Sequence, residues 1–228
     1  MRTQIASGVV FTTPPSLPRG RHELAREQVL AAQRERMLIA ATELLAGSGY
    51  RGFGVREICS RAAVSRAAFY ECFADKDACV YAAYDRFIAV LVERLAADDA
   101  RFAAGDGPDW AGCVRGFVAT YLAILESDPV AARAFGVEME ALGRTARERR
   151  RTALTRLAGF IRELREKRFP GTATAVPLSA YLGAIHALRQ IASDALDAEP
   201  EPDLTALVPE LSAWLCRMVD EPAQEETR

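Results

Sequence analysis

The chain has 228 residues, of which 50% are hydrophobic, and its 29 basic and 31 acidic residues give a net charge of −2. This length fits one or two domains with a sizeable core, and no apolar run approaches the ~18 residues that a membrane-spanning helix needs. The opening segment MRTQIASGVVFTTPPSLPRG lacks the apolar core and the cleavage site of a secretory signal. We therefore expect a cytoplasmic protein with no membrane partner.

The charges are distributed unevenly along the chain. Residues 17–76 hold ten basic and seven acidic residues, a net of +3, whereas residues 77–228 hold eighteen and twenty-four, a net of −6. A mildly basic segment ahead of an acidic remainder suits a protein whose first part alone contacts a polyanion.

The cysteines and histidines predict neither a disulfide framework nor a metal centre. The five cysteines are odd in number and include no CxxC pair, so we expect buried, reduced thiols. The two histidines, His22 and His186, lie far apart in the sequence, and no metal-ligand spacing accompanies them. We predict no metal and no cofactor.

In chain order, the first element is a predicted flexible basic arm over residues 1–22. Pro14, Pro15 and Pro18 interrupt regular structure there, and few residues of this segment are core formers. Arg19 and Arg21 end the arm and are candidate DNA-binding residues.

After the arm, apolar residues recur mostly at spacings of three and four, which predicts an all-α fold. Gly47 and Gly49 end the first helix because glycine tolerates a positive φ just past a last turn. Later boundaries fall at pairs of helix-breaking residues that include proline. The predicted helices lie at about 24–46, 55–62, 65–73, 76–104, 109–127, 129–142, 144–168, 178–197 and 203–219.

The second and third of these helices form a predicted helix-turn-helix. Both are short and are joined only by Ala63 and Val64, so they need the first helix beneath them to bury their apolar faces. Ser65 has the chemistry of an N-cap for the third helix. On the outer face of that helix, the side chains of the first turn are small apart from Arg66, whose guanidinium can reach base edges or a phosphate.

The stretch GYRGFGVREICSRAAVSRAAFYECFADKDACVYAAYD resembles the DNA-binding segment of tetracycline-repressor-type (TetR family) regulators. The preceding PRGRHELAREQVLAAQRERML is similar to the arm and first helix of actinobacterial members, so the resemblance covers about residues 18–86. It implies a helix-turn-helix domain over residues 23–76 and a helical effector-binding and dimerisation domain over residues 77–228. It further implies that DNA contacts come from Arg56, Ser65, Arg66, Ala67, Ala68, Tyr70 and Lys76. Tyr70 and Lys76 would hold phosphates, and Arg66 would be the candidate for base readout.

Four positions depart from the family pattern. Gly54 stands where a Ser or Thr usually caps the second helix, which removes most of a side-chain cap worth about 0.5–2 kcal/mol. Ala63 stands where the turn usually has glycine, and a positive φ there would store about 1–2 kcal/mol of strain. Ala67 and Ala68 remove a hydroxyl from the DNA-facing surface, which affects operator sequence and affinity.

The remaining 152 residues contain no motif as specific as this. Aromatic side chains and a methionine recur on the central helices at spacings that fit an effector cavity, and a packed core is the alternative. His186 is a candidate polar anchor of that cavity, and a core or interface histidine is the alternative. The candidate pocket residues are Tyr84, Phe87, Trp110, Phe117, Tyr121, Phe135, Met139 and His186.

The last two predicted helices each carry an apolar stripe, which suits a four-helix homodimer interface by analogy with the family. The sequence therefore predicts a regulator that binds double-stranded operator DNA as a homodimer. In the leading hypothesis it is a repressor that a small apolar or amphipathic effector releases from a palindromic operator.

Two other interpretations remain open at this point. One is a helical ligand-binding or adaptor protein whose DNA-binding unit no longer functions. Another is a redox-sensing regulator that works through Cys59, Cys72 or Cys79. An enzyme is not predicted, because GxSxG, HExxH and Gly-rich phosphate loops are all missing from the sequence and there are no catalytic candidates.

Overall fold

A computed structural model describes residues 8–14, 26–103, 109–170, 176–199 and 202–219. These residues form helices, 3₁₀ turns and connecting segments, with no β-sheet among them, which confirms the all-α prediction. None of the described helices is both long enough and apolar enough to cross a lipid bilayer. The helices are α1 (Arg26–Ser48), α2 (Val55–Ala62), α3 (Arg66–Cys72), α4 (Lys76–Ala103), α5 (Trp110–Ser127), α6 (Pro129–Gly136), α7 (Arg144–Arg168), α8 (Leu178–Ala198) and α9 (Val208–Val219).

The chain divides into two compact units. Unit 1 comprises Met1–Val90 and Ser127–Ala146, and unit 2 comprises Leu91–Glu126 and Arg147–Arg228. The predicted domain boundary at residue 76 separates the residues expected to bind DNA from those expected to bind an effector. The division into compact units does not test which residues bind DNA, so this boundary stays a prediction.

Local chemistry accounts for the start of α4 and the end of α1. The Ala78 amide donates to the Asp75 carboxylate at 2.7 Å, so Asp75 caps α4. Gly49 ends α1 with φ 63°, in the left-handed region that favours glycine.

Two predicted helices are shorter in the structure and are supplemented by 3₁₀ turns. The predicted helix at 129–142 ends at Gly136, a poor helix former, and a 3₁₀ turn follows over Glu138–Leu142. The predicted helix at 203–219 begins as a 3₁₀ turn over Thr205–Leu207, and α9 starts only at Val208. Pro209 explains this start, because proline lacks an N–H and is tolerated only in the first turn of a helix.

Part of the predicted arm packs against the protein. Val10 and Phe11 are fully buried, and the Gly8 amide donates to the Phe11 carbonyl at 2.9 Å to form a turn. Asp128 links this segment to α6. Its carboxylate accepts a hydrogen bond from the Ala131 amide at 3.3 Å, which caps α6, and it also accepts one from the Val10 backbone amide. Residues 8–14 therefore form a packed anchor that the residue pattern did not predict. Arg19, Arg21 and the other residues at 15–22 lie outside the described residues.

Unit 2 is held together by apolar packing and by buried polar links between helices. Asp98 of α4 is buried and accepts from Thr120 of α5 and from Arg101. Arg168 of α7 forms an ion pair with Asp99 of α4, in which its Nη1 lies 3.6 Å from the Asp99 Oδ1. The core at the end of α7 and the start of α8 includes Ala158, Val176 and Tyr181.

Candidate nucleic-acid interface

The scaffold of the candidate site consists of α1, α2 and α3 packed around a common core. Leu38 of α1, Ile58 of α2 and Phe69 of α3 are fully buried. Phe73, just after α3, lies with its ring centroid 5.6 Å from that of Phe69 and extends the same core. The short helices thus bury their apolar faces on α1, as the sequence predicts.

A buried ion pair ties α1 to α2. The Arg61 guanidinium donates to the Glu43 carboxylate, and only 1% of the Glu43 side chain and 12% of the Arg61 side chain are exposed. Sequence analysis missed this pair, because eighteen positions separate the two residues and each looks like an ordinary surface charge. A buried carboxylate needs such a partner, so the pair sets how α2 sits on α1.

The turn between α2 and α3 is a left-handed C-cap. Ala63 has φ 53° and ψ 45°, so the positive φ that the sequence raised as a possibility is present. The Val64 amide donates to the Cys59 carbonyl at 3.0 Å and the Ala63 amide to the Ser60 carbonyl at 3.4 Å, which is a Schellman motif. These two hydrogen bonds hold an alanine in a conformation that costs it about 1–2 kcal/mol.

The two short helices are capped to different extents. The Ser65 hydroxyl accepts from the Ala68 amide at 3.1 Å, which confirms the predicted N-cap of α3. At α2, Gly54 has no side chain to offer, and instead its amide donates to the Glu57 carboxylate at 2.9 Å. This is the reciprocal half of a capping box, so the glycine leaves α2 only partly capped.

The outer face of α3 presents the predicted DNA-contacting side chains to solvent. Ser65, Arg66 and Ala67 are exposed, and Ala68 is half-buried. Tyr70 is 51% exposed, and its ring meets the buried Phe69 edge-on, with centroids 5.5 Å apart. Because the side chains of its first turn are small apart from Arg66, the start of α3 can approach the floor of a DNA groove. Arg66 and Tyr70 are then long enough to reach base edges or phosphates.

Arg56 of α2 also points outward, with 87% of its side chain exposed. Its guanidinium donates to Glu57 at 2.9 Å, and this hydrogen bond, followed by that of the Gly54 amide, lowers the pKa of the Glu57 carboxyl. An exposed pair of this kind is worth little in water. Arg56 can therefore exchange the carboxylate for a phosphate at small cost.

Lys76 is held more tightly than the sequence implies. Its ammonium donates to the carbonyls of Tyr50 at 2.9 Å and Phe53 at 3.1 Å, and it lies 3.7 Å from the centroid of the Tyr50 ring. The Tyr50 hydroxyl in turn donates to Asp77, and burial together with this hydrogen bond raises the pKa of Tyr50. Two of the three ammonium hydrogens thus fix the 3₁₀ turn Tyr50–Gly52, which leaves one donor for the predicted phosphate contact.

The candidate effector residues fall into two groups. Four of them belong to unit 1, and three of these pack as a cluster in which Phe135 lies 5.9 Å from Tyr84 and 5.3 Å from Phe87 between ring centroids. Met139 is buried in the same unit. These contacts are those of a packed core, which was the alternative interpretation of the sequence pattern.

The other four candidates, Trp110, Phe117, Tyr121 and His186, belong to unit 2. Phe117 is buried, Trp110 and Tyr121 are half-buried, and His186 is exposed. An exposed side chain does not support the predicted role of His186 as a polar anchor inside a cavity.

The three cysteines of the DNA-binding segment have the properties of structural thiols. Cys59 and Cys79 are buried, and the Cys79 thiol lies 3.7 Å from the Met37 carbonyl. Burial raises the pKa of Cys79 to about 12 and also raises the pKa of the Cys59 and Cys72 thiols. Because the thiolate is the form that reacts with oxidants, this environment disfavours the redox-sensor interpretation. Among the described residues, no group of three His, Cys, Asp or Glu side chains is placed to hold a metal ion.

Comparisons with known proteins agree with this geometry. Residues 38–83 match the family model described as bacterial regulatory proteins of the tetR family. No curated protein matches the sequence.

Three solved structures have a similar fold. The fatty acid degradation regulator FadR from Bacillus halodurans has 17% identity and a TM-score of 0.70, and the match covers 86% of this chain and 97% of that one. The transcriptional regulator FadR from Bacillus subtilis, in complex with stearoyl-CoA, has 15% identity and a TM-score of 0.69, with 79% and 96% covered. A transcriptional regulator from Rhodococcus sp. Rha1 has 23% identity and a TM-score of 0.61, with 81% and 96% covered.

Proposed function

We propose that this chain is a DNA-binding transcriptional regulator of the tetR family, as its match at residues 38–83 supports, and that it is a repressor that acts as a homodimer on a palindromic operator. In this proposal a small apolar or amphipathic effector binds its helical C-terminal part and releases it from DNA. The observation that carries the proposal is the outer face of α3, where Arg66 and Tyr70 stand exposed beside a first turn of small residues. The resemblance of residues 18–38 to actinobacterial arms supports an actinobacterial subgroup. Since its target is chromosomal DNA, we place its action in the cytoplasm, and we propose no enzymatic activity.

The DNA-binding role assigns different tasks to the outward side chains. Arg66, at the start of α3, is proposed to read a base edge, because a guanidinium can donate two parallel hydrogen bonds to guanine. Arg56, Tyr70, Lys76, Ser65 and the backbone beside Ala67 and Ala68 are proposed to contact phosphates. Arg19 and Arg21 would add contacts from the arm.

The homodimer is proposed to form through α8 and α9. Leu182, Ile185 and Leu188 on α8 and Trp214 on α9 are only half-buried in the single chain, and Met218 is 42% exposed. Apolar side chains left partly open on two neighbouring helices favour burial against the same surface of a second copy. A dimer also gives the protein two recognition helices, which can engage half-sites about 34–36 Å apart or multiples of that distance.

A solved structure of similar fold supports the proposed effector role. The Bacillus subtilis structure contains stearoyl-CoA, which supports a ligand with a large apolar part for this chain as well. Release from DNA has a geometric explanation. The spacing of the two half-sites is fixed, so an effector that slightly changes the separation of the two recognition helices would remove contacts with DNA.

An electrophoretic mobility assay with the DNA upstream of the chain's own gene tests the proposal. Arg66→Ala should weaken binding by about tenfold or more, because a bidentate base contact is worth about 1–3 kcal/mol. Tyr70→Phe should weaken it less and equally for all sequences, since a phosphate contact carries no sequence information. Arg115→Ala on α5, an exposed arginine of unit 2, is the matched control and should leave the affinity unchanged. Absent binding by the unaltered protein, or binding insensitive to salt, would contradict the proposal.

The adaptor interpretation predicts a different result. It rested on Gly54, Ala63, Ala67 and Ala68, yet with these residues in place α2 and α3 both form, Ser65 caps α3, and the turn between them keeps its hydrogen bonds. A combined Arg66→Ala and Tyr70→Ala variant that leaves the cellular transcript profile unchanged would favour the adaptor.

A further inference from the structure

The positive charge of the later part of the chain is concentrated on α7. This helix holds ten basic and three acidic residues, whereas the rest of residues 77–228 hold eight basic and twenty-one acidic residues. Five of the ten are arginines within the first eight positions of the helix, where Glu148 is the only acidic residue. The beginning of α7 is therefore a basic surface in an otherwise acidic region.

Two of these arginines, Arg147 and Arg151, form a pair on the outer side of α7. Their spacing of i and i+4 places them on the same side of the helix, about 6 Å apart along its axis. Both are exposed, and neither side chain forms an ion pair or a hydrogen bond with any residue that the structure describes. Both guanidinium groups are therefore available to a partner.

The charges around this pair are unfavourable in the free protein. Like charges at i and i+4 on a helix repel each other. The start of a helix also carries the positive end of the helix dipole, which favours acidic side chains, yet the first turn of α7 contains none. An anion bound at Arg147 and Arg151 would offset both effects, so the surface is complementary in charge to a negatively charged partner.

Duplex DNA has the chemistry that this pair fits. A guanidinium presents a planar fork of N–H donors that matches the oxygens of a phosphate. Phosphates follow one another at regular intervals along each DNA strand, so two arginines about one helical turn apart can contact neighbouring phosphates. The proposed function already brings DNA to this chain, and DNA is therefore the polyanion that the pair meets.

The start of α7 belongs to the same compact unit as the candidate DNA-binding helices. Arg144, its first residue, lies in unit 1 together with α1, α2 and α3. Within that unit, the 3₁₀ turn Glu138–Leu142, which precedes α7, contacts the 3₁₀ turn Tyr50–Gly52. The Tyr50 carbonyl accepts from Lys76, one of the proposed phosphate contacts. Two contacting turns therefore connect the start of α7 with a residue proposed to bind the DNA backbone.

We propose that Arg147 and Arg151 bind phosphates of the operator DNA outside the bases that α3 reads. The inference rests on the proposed function in that DNA is the partner. It adds a second DNA-contacting surface, on α7, to the outer face of α3. Because phosphates carry no sequence information, this surface raises the affinity for every sequence and leaves the choice among sequences to Arg66.

The salt dependence of DNA binding tests the pair. Fluorescence anisotropy measures the affinity of the full-length protein for two duplexes of equal length, the DNA upstream of its own gene and an unrelated sequence, at several salt concentrations. Arg147→Gln combined with Arg151→Gln should reduce the slope of log affinity against log salt concentration by about 2 for each protomer, because each lost phosphate contact reduces it by about 1. The affinities for the two duplexes should fall by the same factor, whereas Arg66→Ala should mainly lower that for the upstream DNA.

Two further variants serve as controls. Arg156→Gln combined with Lys167→Gln removes the same charge from exposed residues on the other side of α7, and it should leave the slope unchanged. Arg147→Lys combined with Arg151→Lys keeps both charges and should keep most of the slope. Gln and Lys have helix propensities close to that of Arg, so all of these variants should fold, and circular dichroism checks that they do.

Two results with DNA would overturn the inference. One is an equal slope in the unaltered protein and in the variant with glutamine at both positions of the pair. The other is an equal reduction in the Arg156→Gln and Lys167→Gln control, because the net charge of the protein would then explain the effect. Vesicles of phosphatidylglycerol test a membrane surface as the alternative partner. If the glutamine variant loses vesicle binding while its slope with DNA is unchanged, the pair binds lipid and the inference fails.

Failure of this inference is distinguishable from failure of the proposed function. If the unaltered protein prefers the upstream DNA and the slope does not depend on Arg147 and Arg151, the contact from α7 alone fails. If the unaltered protein shows no preference between the duplexes, the proposed operator recognition fails. The slope on the unrelated duplex still decides the α7 contact in that case, because a phosphate contact does not depend on sequence.

Discussion

The three-helix unit of α1, α2 and α3 and the helices from α5 onward place their candidate functional residues differently. On α3 the candidate DNA contacts point outward from a core that other residues form, so Arg66 is exposed while Phe69 is fully buried. In the later helices the effector candidates are mostly inside, where Phe117 and Phe135 also serve as packing. In the first region the candidate contacts and the core are different residues, whereas in the second several candidates are themselves core residues. Substitutions of buried and of exposed residues therefore test this contrast.

The largest effect is expected from the interior of the three-helix unit. Glu43→Ala removes a buried carboxylate that pairs with the largely buried Arg61 guanidinium, and it should lower the free energy of unfolding by about 3–5 kcal/mol. Glu71→Ala removes an exposed ion pair, in which 46% of the Glu71 side chain and 81% of the Arg26 side chain are exposed. It should lower the free energy of unfolding by at most about 1 kcal/mol. Urea denaturation measures both. Similar losses in the two variants would mean that the Glu43–Arg61 pair does not hold α2 on α1.

The next effect concerns the anchor formed by residues 8–14. Phe11 is fully buried, so Phe11→Ala should cost about 3–5 kcal/mol of unfolding free energy through lost burial and the cavity that remains. Thr12→Ala, at the exposed neighbouring position, serves as the control and should be nearly neutral. If Phe11→Ala is neutral too, the segment is a free arm and the sequence expectation for residues 1–22 applies to it.

A smaller change of opposite sign is expected at the turn between α2 and α3. Ala63→Gly removes the penalty of a side chain at φ 53° and should raise the free energy of unfolding by about 1 kcal/mol, after the greater flexibility of glycine in the unfolded chain is counted. Because Ala63 is exposed and makes the turn through its backbone, operator affinity should stay the same. Chemical denaturation and the mobility assay check the two halves of this prediction. A loss of stability would mean that the left-handed conformation is not the one adopted in solution.

The smallest effect is expected at the cap of α6. Burial raises the pKa of the Asp128 carboxyl, against the lowering effect of hydrogen bonds from the Ala131 and Val10 amides. An Asp with a raised folded-state pKa loses stability as pH rises through that pKa, because the buried ionised form is disfavoured. Asp128→Asn keeps the cap and removes the charge, so its stability relative to the unaltered protein should increase between about pH 4 and pH 7. Denaturation midpoints at both ends of this range measure the difference, and a difference that shrinks with rising pH would contradict the argument.

Much of the α2–α3 region is predictable from the sequence because its rules are local. The apolar spacing of Val55, Ile58 and Ala62 and the hydroxyl of Ser65 determine helix faces and a cap within one or two turns. Exposure of Arg66 and Tyr70 follows, since they occupy the side opposite the apolar residues. The match of residues 38–83 to the tetR family model and the helix bounds found in the structure agree with that prediction.

The packing of the helices determines which distant residues meet. The ion pair of Glu43 with Arg61, the two carbonyls that hold Lys76, and the contacts of Arg165 with Trp110 and Tyr181 all join residues that lie far apart in the sequence. Helical periodicity specifies which side of a helix is apolar and carries no information about the neighbour that covers it. For that reason the outward face that we propose to contact DNA is predictable from the residue pattern, while the buried polar contacts became visible only once the helices were packed together.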